Sequence, residues 1–147
     1  MSRRRLVGPV VLFGALLLGG CGSLSASAAL GNWATSANLT KNDAQLVADA
    51  RSALRWLNDP HSTQKELHTV CAAFDFDTVS AYQSLPSPDT QTTELLTAAY
   101  TDLGDGANVC YRAGDSPAQR RRAESYIRRA GAELSEASAR VSAVVGS

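Results

Sequence analysis

The sequence predicts an all-α fold, an up-down-up-down four-helix bundle filling residues 38–147. Three observations carry this. From Asn38 onward, four segments repeat apolar residues at three- and four-residue steps, and none alternates as a strand would. Capping residues or prolines bound the segments. The connections are short, which joins antiparallel neighbours in a bundle.

The first predicted helix covers about 41–57, with Leu46, Val47, Ala50, Ala53, Leu54 and Leu57 as its inward stripe. Thr40 followed by Asp43 resembles a capping box, and Asn58-Asp59-Pro60 ends the helix. The second covers about 64–85, opened by Thr63 with Glu66 three residues later, and buries Leu67, Val70, Cys71, Phe74, Thr78, Ala81, Tyr82 and Leu85. Pro86-Ser87-Pro88-Asp89 breaks the chain, because each proline pushes its predecessor away from helix. The third starts between Pro88 and Thr92 and runs to about Arg112, with Leu95, Leu96, Ala99, Leu103, Ala107 and Cys110 inward. Gly104 and Gly106 weaken its later turns, by up to about 1 kcal/mol each relative to alanine. The fourth opens with Ser116 as N-cap and Pro117 as first residue. Ala123, Tyr126, Ile127, Ala130, Leu134, Ala137, Val141 and Val144 form its stripe. The frequent alanines let helices approach closely and leave little volume for a large cofactor in the core.

Ahead of the bundle, Arg3, Arg4 and Arg5 form a cationic start, and Leu6 to Leu18 is apolar apart from Gly8, Pro9 and Gly14. The stretch from Leu6 to Gly20 is too short to span a bilayer comfortably and suits a cleaved signal. It ends in Leu18-Gly19-Gly20-Cys21, which resembles the lipobox of bacterial lipoproteins: a leucine, two small residues and a cysteine. The resemblance covers residues 1–21. It implies removal of residues 1–20, a diacylglycerol thioether on Cys21 and attachment to the extracytoplasmic face of the cell membrane. Each buried CH2 of such an anchor contributes about 0.8 kcal/mol, so two or three chains bind durably. Ser2-Arg3-Arg4-Arg5-Leu6-Val7 also partly resembles a twin-arginine export signal, while the same basic start suits the general secretory route. The high alanine and arginine content with little lysine looks like that of a high-GC bacterium, and the chain's general look is similar to small actinobacterial lipoproteins of unassigned function.

Residues 21–37 read as the lipidated Cys21 and a flexible tether of small residues. Trp33 near its end either docks on the domain or meets the lipid interface, where indoles are favoured. The whole chain balances 14 basic against 14 acidic residues, and removal of the three signal arginines leaves a net charge of −3. That gives no electrostatic footprint for nucleic acid.

Few constellations carry chemistry. Cys71 and Cys110 are an even pair in an exported domain and predict a disulfide. One feature opposes it: in a straight hairpin turning near residue 88, the position facing Cys71 is near 105. Five residues of helix amount to about 7.5 Å of stagger. A spacer around Pro88-Asp89-Thr90, tilted helices or a break at Gly104-Asp105-Gly106 would remove it. His61 and His68, the two histidines, lack the inward Glu-x-x-His partners of a bundle metal site. Asp75 and Asp77 turn about 200° apart on a helix and do not converge for acid–base work. Neither a Gly-x-Ser-x-Gly elbow nor a Gly-rich phosphate loop occurs.

One charge feature rises above background. The last helix carries Arg120, Arg121, Arg122, Arg128, Arg129 and Arg140 against three glutamates. Arg121 with Arg128, and Arg122 with Arg129, share faces and are candidate contacts for an anionic surface or acidic partner. Alternatively, Arg120–Glu124, Glu124–Arg128, Arg129–Glu133 and Glu136–Arg140 pair locally at four-residue spacing, or the arginines pair with the acidic surface of the other helices. The expected function is therefore non-catalytic: a binding or scaffold module at the cell envelope. Its partners would be membrane lipid through Cys21 and an envelope protein or polymer, with no cofactor or metal. The alternative is a small-ligand or metal binder using a groove at one end of the bundle.

Overall fold

The computed structural model describes residues 25–147. The expected signal peptide, Cys21 and residues 22–24 lie outside the described residues. The described chain is all-helical and forms five helices: α1 (Ala26–Ser36), α2 (Leu39–Asn58), α3 (Gln64–Tyr82), α4 (Thr90–Ala113) and α5 (Pro117–Val145). None is long and apolar enough to cross a membrane.

Helix α1 corrects the expected tether. Ser25 caps it by accepting from the Ala28 N–H at 3.1 Å. Leu30 is fully buried, and α1 packs on α5 and α2. Burial of one leucine contributes about 2 kcal/mol, enough to dock a short helix whose own moment is weak. The Trp33 indole N–H donates to the Ser84 carbonyl at 3.0 Å, so the docked alternative for Trp33 holds. The folded unit therefore includes Ser25 to Ala37, ahead of the expected boundary at residue 38.

The four predicted helices correspond to α2–α5. The caps at Thr63 and Ser116 form as expected. Thr63 and Glu66 make a reciprocal capping box, and the Ser116 hydroxyl accepts from the Gln119 N–H. The Thr40–Asp43 box does not form. Helix α2 starts earlier, behind Asn38 in the left-handed region at φ 50°, and Asp43 turns into the bundle instead. Helix α3 stops at Tyr82, short of Leu85, because turn-type hydrogen bonds at Ser84 and Leu85 take over. Tyr82 is 44% exposed and off the buried stripe.

Helices α2, α3, α4 and α5 pack each on the next, and α5 returns to α2. Contacts across the diagonals are sparse. Early α2 meets late α5 through Asp43 and Ser138, and late α2 meets early α5 through Leu57 and Arg120. These two helices are therefore antiparallel. The core joins Phe74, Tyr100, Leu46, Leu67, Leu96, Leu103 and Ile127 to a run of buried alanines.

The two glycines of α4 differ in a way their sequence context conceals. A Cβ at Gly106 would stand 2.8 Å from Ile127 Cγ1, whereas one at Gly104 would meet nothing within 4 Å. At Gly106, α4 and α5 approach closely, with Ile127 N and Tyr126 Cβ also 3.4 Å from such a Cβ. Gly106→Ala should destabilise by about 1–3 kcal/mol through overpacking. Gly104→Ala should stabilise by about 0.5–1 kcal/mol through helix propensity. Urea unfolding of the two variants measures both; equal shifts would contradict the close approach.

Candidate functional site

The clearest unpartnered surface lies between α3 and α4. These helices run antiparallel in one register, seen in the pairs Tyr82–Tyr100, Asp75–Asn108, Cys71–Cys110 and His68–Tyr111. The Cys71 and Cys110 sulfurs sit at disulfide distance, with Cα atoms 5.8 Å apart, and both residues are fully buried. The expected stagger is absent because the chain reverses later than residue 88. Helix α3 ends eleven residues beyond Cys71, whereas α4 starts twenty residues before Cys110. The link 83–89 carries the chain past the end of α3 before α4 begins. The Asp89 carboxylate caps α4, accepting from the Thr92 N–H at 2.9 Å.

Over this cross-link the two helices leave two hollows of about 250 and 350 Å³. The first is lined by Ala72, Asp75, Ala107, Asn108 and Tyr111, with Cys71 beneath. The second runs on past Thr78, Val79, Tyr82, Thr101 and Gly104 to Asp105. Small side chains at 72, 104 and 107 open the space. Asn108 donates to Asp75 across the junction of the hollows at 3.5 Å. Large apolar side chains of the lining stand in the open, Val79 at 51% exposure and Tyr82 and Tyr111 at just over 40%, while Phe76, at 71%, lies outside the lining of both hollows. The Tyr111 ring stacks on His68 with centroids 4.0 Å apart and planes within 5°. Asp75 and Asp77 part as expected, Asp75 toward Asn108 on α4 and Asp77 toward Gln45 on α2.

The arginine face of α5 is largely occupied within the fold. Arg128 pairs with Glu124 at 2.6 Å, the one expected local pair that forms. Arg129 grips Asp102 of α4 with two nitrogens instead of Glu133. Arg140 grips Asp89 at the start of α4, with contacts of 2.8 and 3.0 Å, instead of Glu136. This bidentate contact, with Thr92, holds the Asp89 carboxyl well below the usual carboxylate range. Arg122 and Arg129 both lie over the Tyr126 ring. Arg121 alone of the four candidate residues makes no side-chain hydrogen bond or ion pair among the described residues.

Arg120 has a role that its spacing to Glu124 did not suggest. Its Nε donates to the Gly114 carbonyl at 2.7 Å. Its Nη1 donates to Leu57 and Asp59 carbonyls at 3.2 and 2.9 Å, and Nη2 to Ser62 at 3.3 Å. One guanidinium thus satisfies carbonyls at the C-terminal ends of α2 and α4 and in the loop after α2. No side-chain motif marks this, because the acceptors are all backbone.

Asp43 lies among α2, α4 and α5, where Tyr100 and Ser138 each reach its carboxylate at 3.4 Å. Burial raises its pKa to about 6, against the lowering effect of those two donors. A carboxyl raised in the folded state contributes stability that is present below its unfolded value and is lost as pH rises through about 6. Asp43→Asn should therefore remove a loss of about 1–2 kcal/mol between mildly acid and neutral pH, a range reduced for partial solvent screening. Urea unfolding at acid and neutral pH tests this; an unchanged pH profile in the variant would assign the titration elsewhere.

Among the described residues, no group of three or more His, Cys, Asp or Glu side chains could hold a metal ion. His61 is exposed in the loop after α2, its backbone N–H bound to Asp59. Comparison of the chain with family models, curated proteins and solved structures finds no match.

Proposed function

We propose that this chain is a lipid-anchored lipoprotein on the extracytoplasmic face of the cell membrane, acting there as a non-catalytic binding module. Residues 1–20 supply the export signal, Cys21 the anchor, and α2–α5 an up-down-up-down four-helix bundle with α1 docked against it. The antiparallel packing of neighbouring helices, joined by short links, supports that topology. The buried cysteine pair supports an oxidising compartment.

The exposed apolar groove over that pair carries the binding reading. Apolar side chains open in that groove, such as Val79 and Tyr82, favour a partner surface. Engagement of Arg128 and Arg129 in ion pairs favours a structural role for them over headgroup contact, leaving Arg121 and Arg122 as the remaining candidates for an anionic surface. The tested feature is the anchor. Metabolic labelling with a fatty-acid probe should mark the wild type and not Cys21→Ser, and the variant should leave the membrane fraction. A labelled variant would remove the lipoprotein assignment.

A further inference from the structure

We propose that the α3–α4 groove receives one amphipathic helix of a partner protein, with basic residues flanking its apolar stripe. The proposal rests on the binding-module reading above. The two hollows follow each other along α3 from Cys71 to Tyr82, about 16 Å or three helical turns. An antiparallel helix pair opened by small residues presents a trough into which a third helix can lay its ridge.

The chemistry of the trough selects that helix. Val79, Tyr82 and Tyr111 offer apolar contact within the hollows, and Phe76 stands exposed one turn before Val79. Asp75 and Asp105 are the only charged side chains lining them. Asp75 lines both hollows, where it can meet a lysine or arginine beside the partner's apolar stripe. The same two carboxylates oppose an anionic lipid surface, which an apolar ridge alone would invite. The disulfide between α3 and α4 holds the trough at fixed width, so little ordering accompanies docking.

The test uses the full chain carrying Cys21→Ser. Two fluorescent eighteen-residue helical peptides of equal apolar face serve as probes, one of leucine and lysine, the other of leucine and glutamate. The lysine peptide should bind at least about tenfold more tightly, since charge complementarity discriminates partners. Asp75→Asn with Asp105→Asn should weaken it about fivefold, as expected for two exposed pairs, and flatten its salt dependence. Gly104→Trp, which fills open space, should abolish binding while circular dichroism stays helical. Val79→Ser, exposed in the trough and outside the core, should weaken binding even if Gly104→Trp misfolds.

Equal binding of both peptides, or binding indifferent to Val79 and Gly104, would overturn the proposal. Burial of Val79 in a concentration-dependent dimer, or binding to phosphatidylglycerol vesicles through Val79, would overturn it in favour of a second copy or a membrane. Fatty-acid labelling is independent of these results. Loss of labelling at Cys21→Ser with no peptide binding would leave the anchored-module reading intact and sink the helix partner alone.

Discussion

Replacing Cys71 and Cys110 together with alanine lowers the unfolding free energy by about 4 kcal/mol, the chain-entropy value for a loop of this length. The cross-link closes 39 residues and ties α3 to α4, so its loss frees that loop in the unfolded chain. Both residues are fully buried within the core cluster, and alanine leaves their sulfur volumes empty, adding a cavity cost. The midpoint of thermal unfolding should fall by about 15 °C for a domain of this size. The same fall should follow reduction of the wild type once the buried sulfurs are reached. Thermal unfolding with and without reductant, followed by helical circular dichroism, measures both. A wild type indifferent to reductant, with free thiols in the natively isolated protein, would show that the pair is not cross-linked.

Arg120→Ala should cost about 3 kcal/mol, and Arg120→Lys nearly as much. Four hydrogen bonds from one charged group to backbone carbonyls are lost in the first case. Bonds from charged donors contribute about 1.5–3 kcal/mol each, though not additively when they share one donor group. A lysine ammonium keeps the charge but cannot span carbonyls of Leu57, Asp59, Ser62 and Gly114 with a planar fork. The affected carbonyls include helix ends, which have no intrahelical donors of their own. Arg121→Ala, one residue along the helix on an exposed face, should change stability by no more than about 0.5 kcal/mol. Urea unfolding of the three variants separates the cases. Near-equal effects of Arg120→Ala and Arg121→Ala would mean that the fork is not holding the loops.

These two predictions differ in how far the chain itself announced them. The cysteine pair was legible from parity and the expected compartment, and only its register stood against it. That objection came from placing the turn near residue 88, whereas the link 83–89 delays the start of α4. Arg120 was legible only as a charge. Four-residue spacing names Glu124 as its neighbour, but spacing cannot rank a local carboxylate against carbonyls folded back from α2 and α4. The same competition decided Arg129 and Arg140, which left Glu133 and Glu136 for Asp102 and Asp89. In each, a partner on α4 or at its cap gave bidentate geometry that the local glutamate did not.

Helix α1 was hidden for a different reason. Its alanines, serines and glycine resemble a tether, and its apolar residues are too few for a periodic stripe. Its place is secured by Leu30 and Trp33 finding sites on other helices, a contribution that exists only after they have packed. The groove was hidden likewise, because Val79 and Tyr82 read as ordinary helix residues until α4 brings Thr101 and Gly104 beside them.

The sequence by itself determined the helical class, the bodies of α2–α5, the caps at Thr63 and Ser116, and the cysteine pair. It also carries the lipobox-like segment Leu18-Gly19-Gly20-Cys21 from which the proposed address follows. These are properties of near neighbours and periodicity, which the linear chain contains. Only the tertiary structure decided the docking of α1, the inward turn of Asp43, the partners of the arginines and the open trough between α3 and α4. Those depend on which side chains and carbonyls arrive at the same place, and that follows from long-range packing and the reversal at 83–89, not from spacing along the chain.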